Sequence, residues 1–157
     1  MRLKHLNLGC GKLIQTSSDD IEWINLDKVG VGADVVHDMK KGFPMFEDNS
    51  FDMVRAICCL GQIELNDDFM LVMNEIHRVL KPGGTVYIQL PHKDHISNSY
   101  IDPFNQRRFN EYSFAGFDET HGQYINHNHY YGFKPWKNVN SREFDGFLIV
   151  NMEVSKA

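Results

Sequence analysis

The sequence is short of nearly everything that marks a membrane, secreted or nucleic-acid-binding chain. No uninterrupted apolar stretch approaches the roughly 18 residues of a membrane span. Met1 to His5 lead straight into polar residues and glycines, without the apolar core of a signal peptide. Cysteine is scarce and odd in number: there are three, two of them adjacent as Cys58-Cys59. Neighbours in a strand point to opposite faces, so this pair is poorly placed to bridge. Without a Cys-x-x-Cys pair, zinc-ribbon and thioredoxin-like chemistry both fail, and all three read as reduced thiols. There is no Asn-x-Ser/Thr glycan acceptor. Basic residues are outnumbered, 16 Lys and Arg against 21 Asp and Glu, which gives no support to the basic face that duplex binding needs. These absences predict a cytoplasmic chain with neither membrane nor nucleic acid as partner.

What is present is the composition of a folded core, 42% hydrophobic against 24% charged, with no linker or repeat to divide it. A single domain over residues 1–157 is expected. Residues 3–8, 22–26 and 33–37 read as strands, the first cut off by Gly9-Cys10-Gly11 and the others ending at Asp27 and Asp38. Residues 51–60 form a nearly continuous apolar run, as suits a strand buried on both faces of a parallel sheet. Phe69, Val72, Met73, Ile76, Val79 and Leu80 keep the spacing of one buried helical stripe. Asn66, Asp67 and Asp68 supply the cap and a negative first turn. Lys81-Pro82-Gly83-Gly84 stops that helix, and residues 85–90 alternate as a fifth strand. From residue 92 to about 142 the periodicity fades, apart from a short helix expected near residues 111–117. Residues 148–155 alternate again, as an antiparallel strand at or near a sheet edge.

In open α/β sheets, ligands sit beyond the carboxyl ends of the strands. Here those ends carry Gly9-Cys10-Gly11, Asp27, Asp38 and Leu60-Gly61-Gln62 in succession. A dinucleotide fingerprint needs a third glycine three residues after the second, and Ile14 stands there. A pyrophosphate, and with it a nicotinamide-dependent oxidoreductase, loses its main support. Two glycines still let a ligand lie on the backbone, and Asp27 stands at the offset of a carboxylate gripping ribose hydroxyls. The ligand reads as an adenosine compound without a diphosphate.

These residues resemble the class I S-adenosylmethionine-dependent methyltransferases, of the small type-11-like kind. The likeness is carried by Leu6 to Gly11, Ile24 to Asp27, Phe43 to Asp52 and, most specifically, Asn74 to Gly84, with Asp102-Pro103 and Arg107 to Phe109 in support. It implies an α/β fold: a minimal three-layer Rossmann-like methyltransferase sheet, order 3-2-1-4-5-7-6, with strand 7 antiparallel and reduced helices. It implies S-adenosylmethionine as cofactor. Asn7, Gly9, Cys10 and Gly11 would border its methionyl part, Asp27 its ribose, Asp38 and Met39 its adenine, and Leu60 and Gly61 its sulfonium. The best-matching run, residues 75–84, is mainly scaffold.

Four departures stand out. Asn7 replaces the acidic residue often found near the cofactor's ammonium group. Cys58 to Gln62 lacks the histidines and glutamate of the family's run after strand 4. The span between Gly11 and Glu22 leaves little room for the usual helix, and no helices precede strand 1.

Methyl transfer needs alignment and exclusion of water more than acid–base machinery. For an acceptor that must lose a proton, His92 is the candidate base, with Asp94 and His95 beside it. Residues 92–136 are expected to form a cap over a small-molecule or sugar-like acceptor. Either that cap closes the site alone or the second subunit of a homodimer helps. In residues 121–131, His127 and His129 would share a face only in a strand. No further ligand completes a site, so no metal is expected and an aromatic loop over the substrate is preferred. Arg107 and Arg108 admit two readings, an anionic substrate or pairing with nearby acids. The alternative to catalysis is a non-catalytic S-adenosylmethionine-binding or assembly domain of the same fold.

Overall fold

The computed structural model describes residues 2–95, 98 and 100–157; residues 96, 97 and 99, inside the expected cap, lie outside the described residues. Seven strands form one sheet: β1 (Leu3–Leu8), β2 (Ile21–Asp27), β3 (Val35–Val36), β4 (Phe51–Ile57), β5 (Leu80–Pro91), β6 (Trp136–Phe144) and β7 (Phe147–Val154). Their order is β3-β2-β1-β4-β5-β7-β6, as the resemblance implied. β1 pairs in parallel with β2 and β4, with Leu8 opposite both Leu26 and Ala56. The carboxyl ends of these three strands therefore share one rim.

The central strands bury Leu6, Leu8, Leu26, Val54, Ala56, Val86, Ile88 and Leu90. Helix α1 (Asn66–Val79) lays Phe69, Val72, Met73, Ile76 and Val79 into this core, the stripe read from the sequence. Glu75 and Arg78 on α1 tie down residues 43–48. Arg78 donates to both Glu75 oxygens, to Asp48 Oδ1 and to the carbonyls of Phe43 and Phe46. Glu75 Oε2 also accepts the Phe43 amide at 2.7 Å.

Several boundaries differ from the sequence reading, each for a local reason. The cap of α1 is Leu65, with no side-chain cap bond, and Asn66 instead accepts from Arg107 at 2.9 Å. At the other end Leu80 is already extended (φ −72°, ψ 139°) and begins β5. Gly83, at φ +74°, thus serves an irregular stretch of β5 rather than a helix cap. β4 stops at Ile57 because Cys58 turns to φ +52°, and Leu60–Gln62 form a 3-10 turn. β3 shrinks to two residues because the Asp34 carboxylate, not a strand carbonyl, accepts the Asn25 amide at 2.7 Å.

Two elements stand where the periodicity fades. Residues 121–131, expected as a loop, hold helix α2 (Gly122–Tyr131), which buries none of its residues and so carries no apolar stripe. β6 buries only Trp136 and forms the sheet edge, leaving β7 one place in. Asp145 (φ +51°) and Gly146 (φ +78°) make the β6–β7 turn, the Asp-Gly pair of a tight hairpin. The short helix expected near 111–117 is a 3-10 turn at Ala115–Phe117.

Candidate functional site

A cavity of about 390 Å³ opens on the rim formed by β1, β2 and β4. Six of the residues singled out from the sequence line it: Gly9, Cys10, Gly11, Asp27, Asp38 and Met39. They converge because parallel strands end on one side of the sheet and the chain must turn there. Gly9 sits at φ +62°, and a Cβ on it would lie 2.5 Å from the Cys59 Cβ. Gly11 is also left-handed, at φ +49°, but nothing lies within 4 Å of where its Cβ would be. The first glycine is a packing necessity; the second leaves a bare patch of backbone.

Asp27 organises the mouth. Its Oδ2 accepts the Gly11 amide at 2.8 Å and its Oδ1 the Val29 amide at 3.0 Å. A carboxylate offers about four acceptor positions, so one on each oxygen is left for a ligand's hydroxyls. Asp38 caps the 3-10 turn Met39–Lys41 by accepting the Lys40 amide at 3.0 Å. Gln62, named with the end of the fourth strand, lines the cavity as well, whereas sequence reasoning missed Lys12, Leu13, Lys28, Lys40, Ile57, Cys58, Cys59 and Ile63. Most are direct chain neighbours of residues that were found, and the strand-end rule would have reached them.

The remaining candidates lie elsewhere. Asn7 is 1% exposed beneath the glycine loop, and its amide donates to the Leu13 carbonyl at 2.8 Å and to Asn25 Oδ1 at 2.9 Å. Leu60 is fully buried in the core, and the Gly61 carbonyl accepts the amides of Gln106 and Arg107. His92 is outside the cavity lining and 6% exposed. Its Nε2 meets Glu111 Oε2 at 3.3 Å, and its Nδ1 accepts the Asp94 amide at 3.3 Å. Arg107 donates to the Ile63 carbonyl at 2.7 Å and stacks over Phe69, while Arg108 donates to the Asn105 carbonyl and stacks over Tyr100. Neither reading of these two arginines describes those contacts.

All three cysteines of the chain line this one cavity. Burial raises the thiols of Cys10 and Cys58 above the ordinary value and pushes Cys59 up to about 12. At neutral pH they are thiols rather than thiolates. Among the described residues no three histidine, cysteine or carboxylate side chains are grouped to hold a metal ion. His127 and His129 sit on a helix, where residues two apart do not share a face. No helix among the described residues is long and apolar enough to cross a membrane.

A sequence profile described as a methyltransferase domain matches residues 14–88, just under half of the chain. No curated protein sequence matches significantly. Among solved structures, an S-adenosylmethionine-dependent methyltransferase from Archaeoglobus fulgidus superposes with a TM-score of 0.68 at 13% identity, covering 97% of this chain and 86% of its own. One from Methanosarcina mazei gives 0.59 at 14%, covering 99% and 94%. The complex between the Haloferax volcanii Trm112 methyltransferase activator and a methyltransferase gives 0.63 at 14%, covering 98% and 83%. At such identities the likeness speaks for the fold, and its sheet order is the one found here. Residues 14–88 thus match the methyltransferase-domain profile, and the strand order of the sheet is that of the class I S-adenosylmethionine-dependent methyltransferase fold.

Proposed function

We propose that the cavity binds S-adenosylmethionine and that the chain directs its methyl group to a small-molecule or sugar-like acceptor. The observation that carries this reading is the Gly11–Asp27 contact. A backbone amide bonded to a carboxylate lies beside a glycine with open space over its Cα. That is a surface a nucleoside can lie against with its hydroxyls on Asp27. Gly9, Cys10 and Gly11 would border the methionyl part, Asp27 the ribose, and Asp38 with Met39 the adenine. The cavity volume falls within the range of small-molecule sites.

When bound, the sulfonium supplies a methyl group on a good leaving group, so displacement by an acceptor lone pair needs little covalent help from the protein. The chain's residues align, exclude water and avoid competing. Thiolates at the cavity wall would themselves be methyl acceptors, and burial keeps Cys10, Cys58 and Cys59 protonated. His92, with both ring nitrogens engaged, acts in this reading by fixing the segment after β5 rather than as base. His92→Ala should therefore lower the melting temperature and leave turnover within about threefold; a base would give a loss of roughly 10²–10⁴.

A second reading, an assembly domain of the same fold, is favoured by the β3 edge. That strand is two residues long, and Val29, Val31 and Val36 beside it are exposed. An auxiliary protein, such as the activator bound by the Haloferax neighbour, would cover them. Calorimetry with S-adenosylmethionine and its demethylated product separates the outcomes. The proposal expects both to bind and Asp27→Ala to weaken both at least tenfold. Absence of binding by either would sink it. Binding without any acceptor across a broad metabolite panel would favour the assembly domain.

A further inference from the structure

We infer that Asn7, Asn25 and Asp34 form a polarised hydrogen-bond chain that positions the glycine loop in place of the missing helix. This rests on the cofactor reading above and extends it to residues that do not touch the cavity. Between Gly11 and Ile21 the chain makes no helix, so the backbone groups of Leu13 and Gln15 lack helical partners. Two buried amides take their place. Asn7 donates to the Leu13 carbonyl; Asn25 accepts the Gln15 amide at 2.8 Å and donates to the Gln15 carbonyl at 3.0 Å. Asn7 and Asn25 are joined at 2.9 Å and are 1% and 3% exposed. Groups so buried must be satisfied.

Asp34 sets the direction. As a carboxylate it only accepts, so the Asn25 Nδ2 must face it, at 2.9 Å. The Asn25 oxygen is thereby turned to Asn7, which must donate to it and to Leu13. An ionised acid at position 7 has no hydrogen to give and would face two acceptors. Asn7 is thus a positioning residue required by the missing helix, not an acid that has merely lost its charge.

The two explanations predict opposite signs for Asn7→Asp. If position 7 served the ligand's ammonium directly, the acid would tighten binding. The polarised chain predicts that it weakens binding of S-adenosylhomocysteine at least tenfold at pH 8. Much of the loss should return at pH 5.5, where the carboxyl regains a proton to donate. Asp34→Asn, by freeing the direction of Asn25, should partly rescue the Asn7→Asp variant. Unchanged or tighter binding by N7D, or no rescue at either pH or in the double variant, overturns the inference. Should the wild type bind neither ligand, amide exchange decides it alone: N7D must speed exchange at residues 13–15 with α1 still protected. Unchanged exchange there would overturn it.

Discussion

Gly9 and Gly11 look alike in the sequence and differ in kind. Both occupy the left-handed region, where a side chain costs roughly 1–2 kcal/mol. Only Gly9 also meets Cys59, at 2.5 Å, and Met39, at 3.0 Å. Gly9→Ala should cost about 2–4 kcal/mol in a denaturant melt, backbone and overlap together. Gly11→Ala should cost about 1 kcal/mol in the same melt yet remove most affinity for S-adenosylhomocysteine, because its methyl group enters the bare patch. Equal stability losses, or retained affinity in the Gly11 variant, would mean that the two positions are interchangeable.

At the scale of elements, α1 is fastened at its far end through a histidine. His77 is 7% exposed, packs edge-on against Trp136, and its Nε2 bonds the Pro135 carbonyl at 3.0 Å. Burial holds its pKa below the ordinary 6.5, so the folded state prefers the neutral ring. His5, buried against Trp23 with Nδ1 unpartnered, is shifted the same way for the same reason. A group depressed on folding lends its stability above its unfolded pKa and loses it as pH falls through the folded one. The melting temperature should therefore decline on acidification from about pH 6.5, ahead of carboxylate titration. His77→Gln, which keeps a donor toward Pro135, should flatten part of that decline. An unchanged slope would assign the whole effect to His5 or elsewhere.

Legibility in the sequence also divides by element. β1, β4, β5 and α1 bury enough apolar residues for their periods to be read directly. β6 buries one residue and α2 none, so neither writes a pattern. The hairpin was nonetheless announced by Asp145-Gly146, a turn pair whose meaning the polar flank of β6 obscured. At the site, glycines and strand-end acids were legible because backbone conformation demands them. The partners of Asn7 were not legible, since the Leu13 carbonyl lies in a loop that periodicity does not describe and Asn25 on the neighbouring strand.

For the molecule as a whole, the fold gathers the groups that line this cavity from the first 63 residues and leaves the later strands to hold the sheet. Every sulfhydryl in the protein falls in the first group, around one cavity. Intact mass after brief alkylation therefore becomes a footprint of that cavity alone, with no labelled background elsewhere. With a brief pulse of iodoacetamide at pH 8, which favours thiols over amines, S-adenosylhomocysteine should slow the labelling of Cys10 and Cys58, while Cys59, pushed up to about 12, stays largely unlabelled. Candidate acceptors could then be ranked by the protection they add, before any reaction has been seen.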